Sequence, residues 1–260
     1  MGERFAGSEE VRGSTPRRST NLNIDMEYGF FSDNQIPKFN NTHDGVNSYG
    51  YRCPEWTPLP KGKKNVVVLG CSHTFGEGLD VQDVWISIVQ EKLNSSQLRF
   101  WNMSQPGSSA DLMFRILYSC EKVLFPKIII CCWPAWSRRE LYKTGATNLT
   151  GSEDRLALNE ETEDKNNLLK NIFLTEKFAE HNGAKTFHCF AEEVYDIPMP
   201  PNTLNSASLS SCWPIYDKHF EKITDTITES DLASDGKHYG KKHHTRFAEL
   251  FLKSFQTKLR

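Results

Sequence analysis

Residues 65 to 78 read Asn65-Val66-Val67-Val68-Leu69-Gly70-Cys71-Ser72-His73-Thr74-Phe75-Gly76-Glu77-Gly78. The first part is an unbroken apolar run rich in β-branched side chains, the pattern of a strand covered on both faces. The run stops at Gly70. A serine then sits between the strand end and a glycine-rich turn, where the backbone can bare its hydroxyl.

Three further stretches share the strand texture: LRFWNM from Leu98, KIIICCW from Lys127 and AKTFHCF from Ala184. Helical spacings lie between them. Trp85, Ile88, Val89 and Leu93 share one face behind Asp83, a candidate cap. Leu112, Met113, Ile116, Leu117, Cys120 and Leu124 form one stripe between Ser109 and Leu124, the best amphipathic pattern in the chain. Asn166 to His181 is helical by spacing, and a last helix presents Phe247, Leu250, Phe251 and Phe255 inward. Strands alternating with helices predict an α/β three-layer sandwich, with a central parallel sheet of about five strands and helices on both faces. In such sheets the site lies outside the carboxyl ends of the strands, here the loops after Gly70, Met103, Trp133 and Phe190.

A serine hydroxyl alone is a weak nucleophile and needs a base, which in turn needs an orienting group. Asp235-Gly236-Lys237-His238, just ahead of the last helix, supplies both. At a spacing of three an aspartate can reach back to the imidazole, fix its tautomer and stabilise the imidazolium. Cys71 is a rival nucleophile and His73 a rival base, yet side chains adjacent on a tight turn commonly point apart. His243 and His244 lack a paired aspartate and read as a solvated helix face. Trp133, Trp136 and Trp213 are candidates for a sugar-stacking platform, although aromatic residues more often serve as core or rim packing.

Together, the Gly-x-Ser-x-Thr-x-Gly-x-Gly turn, the Asn102-Met103-Ser104-Gln105-Pro106-Gly107-Ser108-Ser109 loop and the Asp-x-x-His segment resemble the SGNH/GDSL hydrolases. The resemblance runs from about Asn47 to the C-terminus. It includes Asn47-Ser48-Tyr49-Gly50-Tyr51-Arg52, which looks like the NSxGxR segment ahead of the nucleophile in many of these proteins. It implies the flavodoxin-like SGNH fold and a triad of Ser72, His238 and Asp235. It also implies an oxyanion hole built from the backbone amides of Ser72 and Gly107. The family's third block, Gly-x-Asn-Asp, is replaced by Cys132-Trp133-Pro134-Ala135-Trp136-Ser137-Arg138-Arg139. The third oxyanion donor is therefore missing or supplied by the Trp136 indole, the Ser137 hydroxyl or an arginine.

The activity implied by the resemblance is that of a serine esterase or deacylase acting on a small acyl ester or an acylated carbohydrate, with O-acetyl the first group to expect. No metal or organic cofactor is required. Acyl transfer on the same fold is the neighbouring reading. A non-catalytic SGNH-like module for binding or assembly, for example in a virus particle, is the reading from another class.

Composition bounds the rest. At 260 residues, 38% of them hydrophobic, the chain has one sizeable core. Residues 1 to 45 are polar and read as an arm, and residues 46 to 260 as the domain. A polar stretch near residues 137 to 165 reads as a surface insertion. The net charge of −2 recommends no nucleic-acid partner. No apolar run approaches the roughly 20 residues of a membrane span, and the N-terminus lacks the apolar centre of a secretory signal. A cytoplasmic chain is the expectation; oligomeric state is not legible. The seven cysteines are scattered without metal-ligand spacing and read mainly as small core residues.

Overall fold

The computed structural model describes residues 36–58, 60–94, 97–142, 146–149, 161–190, 197–204 and 232–259. The four apolar runs form strands β1 (Lys64–Leu69), β2 (Leu98–Asn102), β3 (Ile128–Trp133) and β6 (Lys185–Phe190). All pair in parallel in the order β2-β1-β3-β6. Among the described residues the sheet thus has four strands, against the five or so expected. A separate antiparallel pair, β4 (Arg139–Tyr142) and β5 (Ala146–Leu149), follows the third strand.

The alternation of side chains along a strand builds two cores. Val67, Leu69, Trp101, Ile129, Cys131 and Trp133 face one way, under α3 (Ala110–Leu124) and α4 (Glu161–Asn182). Val66, Val68, Phe100, Ile130, Cys132 and Phe187 face the other, under α2 (Trp85–Leu93) and α5 (Lys241–Leu259). Ser109 caps α3 by accepting from the Leu112 amide at 3.2 Å. All six stripe residues of α3 are buried.

Helix α2 departs from the expectation. Asp83 closes a 3₁₀ turn (Val81–Asp83) and pairs with Lys241 at 2.8 Å; it does not cap. The Trp85 amide donates instead to Nδ1 of His244, a residue of α5, at 3.1 Å. His244 is buried and His243 half-buried against Tyr239, so neither belongs to a solvated face. Burial and neighbouring positive groups hold the His244 pKa well below the ordinary histidine value, which keeps its nitrogen an acceptor. Leu250, expected inward, is only partly buried.

Residues 36 to 45, the end of the expected arm, lie on the domain, with Ile36 in the core beneath α3 and α4. Beyond β3, Glu140 is buried and forms a two-point ion pair with Arg115 of α3 (2.5 and 3.2 Å). Arg139 pairs with the buried Asp164 at the start of α4. The first part of the expected surface insertion is therefore tied to the helical layer. Trp133 is core, its Nε1–H donating to His188 Nδ1 at 2.9 Å. The six described cysteines are buried thiols. Trp213 and Cys212 lie outside the described residues.

Candidate active site

The chain leaves β1 at Leu69 and makes a single helical turn, α1 (Ser72–Phe75). A Cβ placed on Gly70 would lie 2.3 Å from Thr74 Oγ1, so the glycine is required by the threonine that folds back onto it. This is the steric content of the Gly-x-Ser-x-Thr spacing. Thr74 is fixed in turn, because its carbonyl accepts from Asn102 Nδ2 at the end of β2 at 3.0 Å. The buried Arg52 donates to the carbonyls of Phe75, Gly76 and Leu79, which are the outgoing end of the turn. Asn47 shapes the segment carrying Arg52 by accepting from the amides of Tyr49 and Tyr51 at 3.0 and 3.1 Å. The upstream motif thus acts as a clamp on the serine turn.

On the far side, the segment before α5 folds onto the same turn. The Asp235 carboxylate accepts from the amides of Lys237 and His238, both at 3.0 Å, and from His238 Nδ1–H at 2.6 Å. Burial pushes the Asp235 pKa up, but the three hydrogen bonds outweigh it and hold the acid at about 2. Gly78 permits the approach. Its φ is +76°, and a Cβ there would meet Ala233 Cβ at 2.8 Å and Asp235 Cγ at 3.0 Å. The Gly78 carbonyl accepts from the Ser234 amide at 3.0 Å and hydroxyl at 2.7 Å. His73 and His238 meet edge to face with ring centroids 5.6 Å apart, and Glu77 Oε2 lies 3.5 Å from His238 Nε2.

The neighbours of Ser72 on its own turn, His73, Glu77 and Gly78, are therefore what the Asp235 to His238 segment touches. His73 is a poor rival base. Burial, the facing His238 and the Arg138 charge depress its pKa to about 3, against the pull of Asp235.

The loop after β2 is anchored by Gln105, whose amide donates to the Gly70 carbonyl at 3.2 Å and whose side chain donates to the Gly50 carbonyl at 3.1 Å. Asn41 donates to Gln105 Oε1 at 2.8 Å. Gly107 follows with φ +72°. The loop after β3 is a turn closed by the Arg138 amide on the Ala135 carbonyl at 3.1 Å. Within it Ser137 is buried and Trp136 half-buried, with the Lys165 ammonium 5.9 Å from the indole centroid. Arg138 Nη1 is buried without a hydrogen-bond partner among the described residues.

Two features escaped the sequence reading. Glu77 appears there only as a letter between two glycines, and nothing local says that its carboxylate meets a histidine 161 positions later. The second is a cleft of about 720 Å³ between residues 45–55, α2 and the edge strand β2, lined by Asn47, Arg52, Glu55, Glu91 and Arg99 among others. Ser72, Gly107 and His238 do not line it, whereas Arg52 and Asn102, which hold the serine turn, do. Among the described residues no cluster of side chains suits a metal ion, and no helix is long and apolar enough to cross a membrane.

No protein-family model matches the chain, and no curated protein matches it. Solved structures do. The chain is similar to the structure of TesA at 16% identity and a TM-score of 0.48, over 75% of this chain and 99% of that one. It is similar to the psychrotrophic esterase EstA from Pseudoalteromonas sp. at 16% identity and a TM-score of 0.46, over 76% and 99%. It is also similar to a member of the lipolytic protein G-D-S-L family from Veillonella parvula at 15% identity and a TM-score of 0.41, over 74% and 98%.

Proposed function

We propose that the protein is a serine-dependent carboxylic ester hydrolase acting on small acyl esters, with acylated carbohydrate as the substrate class and acetyl as the first acyl group to test. Ser72 is the nucleophile, His238 its base and Asp235 the group that orients the base. One observation carries this reading: the hydrogen-bonded Asp235–His238 pair is lodged against the turn whose first residue is Ser72.

With Nδ1–H committed to Asp235, Nε2 is the nitrogen left to accept the serine proton as Oγ attacks the acyl carbon. The same proton then goes to the leaving alcohol, and water repeats the sequence on the acyl-enzyme. The backbone amides of Ser72 and Gly107 serve as oxyanion donors. The third donor, an asparagine in the proteins this chain resembles, falls to Arg138. What supports Arg138 over Trp136 and Ser137 is its buried Nη1, without a hydrogen-bond partner among the described residues, and the action of its charge on His73, the residue next to Ser72. A preorganised donor of this kind contributes roughly 3 kcal/mol to the barrier.

The test is hydrolysis of p-nitrophenyl acetate by the purified chain and by Ser72→Ala between pH 5 and 9. Turnover lost in the variant, together with labelling of Ser72 by a serine-reactive phosphonate, supports the assignment. Neither turnover nor labelling in the wild type would sink it and leave a binding or assembly module.

A further inference from the structure

Among the described residues two arginines are buried, and their surroundings differ. Arg115 is 2% exposed and meets the Glu140 carboxylate through two contacts. Arg52 is 3% exposed and has no carboxylate within ion-pairing distance among the described residues. Its two Nη groups donate to carbonyls of the serine turn, whereas its Nε–H is buried with no hydrogen-bond partner among those residues. A guanidinium withdrawn from water rarely lacks an anionic partner. Burial lowers the Arg52 pKa, and Asp44 and Asp80 oppose this only from beyond ion-pairing distance.

Arg52 lines the cleft of about 720 Å³ between residues 45–55, α2 and the edge strand β2. That volume lies in the range of small-molecule sites. Arg99 of β2 lines the same cleft, with its guanidinium 4.2 Å from the Trp101 ring centroid, and it too has no acid partner among the described residues. Val84, Ile86 and Phe100, all buried, supply apolar wall. The Glu55 carboxylate is taken up by Ser48, whose amide and hydroxyl donate to it at 2.5 and 2.9 Å. The cationic groups open to a ligand are therefore two guanidiniums.

We propose that this cleft is a second ligand site, for a monocarboxylate with an apolar body. One carboxylate oxygen accepts from Arg52 Nε–H and the other from Arg99, while the body packs on Val84, Ile86 and Phe100.

The chemistry of the walls selects this class. Guanidinium N–H groups match the two oxygens of a carboxylate in number and direction. A phosphate dianion meets Glu55 and Glu91, exposed carboxylates of the same cleft, with fewer donors than its oxygens require. A neutral ligand leaves the buried Arg52 charge without an anion. The site stands apart from the reading of Ser72, although it shares Arg52 and Asn102 with the supports of the serine turn.

The test is isothermal titration of the full chain with sodium hexanoate, hexanamide and inorganic phosphate. Hexanoate binds with a Kd on the order of 1 mM, and hexanamide and phosphate bind at least about tenfold more weakly. Arg99→Gln weakens hexanoate about tenfold or more, the size of one hydrogen bond to a charged group. Ser87→Trp, which adds a ring at a half-buried position of α2 on the cleft wall, abolishes binding. Circular dichroism checks that both variants fold, and Arg99→Gln carries the test if Ser87→Trp does not. Hexanamide or phosphate binding as tightly as hexanoate overturns the carboxylate assignment. No heat with hexanoate at millimolar concentration, or binding undiminished in Arg99→Gln, overturns the site. Hydrolysis is not read at any step, so failure of the serine reading and failure of this one are told apart.

Discussion

The ion pair of Arg115 and Glu140 is the sharpest place to test how the third loop is held. Their side chains are 2% and 1% exposed, and two contacts join them, Nη2 to Oε1 at 2.5 Å and Nε to Oε2 at 3.2 Å. Glu140→Leu leaves a buried guanidinium without this carboxylate. Breaking one side of a buried pair costs about 3 to 5 kcal/mol, against a total stability of roughly 5 to 15. In a domain of this size the loss lowers Tm by about 6 to 20 °C. Arg115→Met/Glu140→Leu, by contrast, removes both charges along with the cost of burying them, and its stability returns to within about 1 kcal/mol of the wild type. Urea unfolding followed by fluorescence of the six tryptophans measures all four members of the cycle. The reasoning is refuted if Glu140→Leu costs under about 1 kcal/mol, or if the double variant loses the sum of the two single ones.

Three further outcomes are expected. Gly78→Ala forces a side chain into a left-handed position against Ala233 and Asp235, so it lowers kcat at least about tenfold while unfolding shifts by only about 1 to 2 kcal/mol; equal loss in both assays would refute the specific link to the base. Arg138→Gln lowers kcat on p-nitrophenyl acetate by about 10² to 10³ with KM little changed, and millimolar guanidinium partly restores Arg138→Ala; a rise in KM alone would assign Arg138 to ground-state binding. Acid unfolding should begin near the ordinary histidine value of 6.5. His73 and His244 both have folded pKa values below it, so the unfolded chain binds more protons there. Both contributions are complete above about pH 6.5 and are lost as pH falls, that of His73 toward about 3, whereas that of Asp235, depressed from 3.8 to about 2, is lost only below 4. His244→Phe flattens the upper part of that slope in pH-dependent urea melts.

The sheet was legible because strands covered on both faces leave short apolar runs, β-branched in β1 and β3 and aromatic in β2 and β6, and all four stretches became its strands. Helix α3 was legible for a similar reason, since its stripe and its Ser109 cap are both local signals. The start of α2 was not. Its first amide is satisfied by His244, 159 positions away, and no spacing rule can nominate such a partner over an adjacent aspartate. The same limit hid the nature of His243 and His244, because two charged-looking residues in a polar helix read as solvent-facing until the Trp85 turn is seen to cover one of them. Trp133 shows the converse: its aromatic neighbours suggested a ligand platform, whereas its ring lies inside the sheet and stacks on His188. In the candidate site, the serine turn and the Asp-x-x-His segment could be nominated separately. Their meeting depends on contacts across more than 150 residues, which the sequence does not display.

The glycines of the serine motif nevertheless encode part of that meeting. Gly70 is required by Thr74, four residues on, and that spacing can be read locally. Gly78 is required by Ala233 and Asp235, and its carbonyl is already committed to Ser234. A glycine at that position therefore reports a second chain segment lying against the turn, even where the segment itself is unknown. Arg52 makes the same point from the other side, since a buried guanidinium answering three carbonyls of one turn holds that turn in a single shape. The motif is thus a set of packing conditions on one short turn, with Asp235 and His238 on one side and Arg52 on the other. Glu77, the only carboxylate within the turn, sits where those conditions converge on His238.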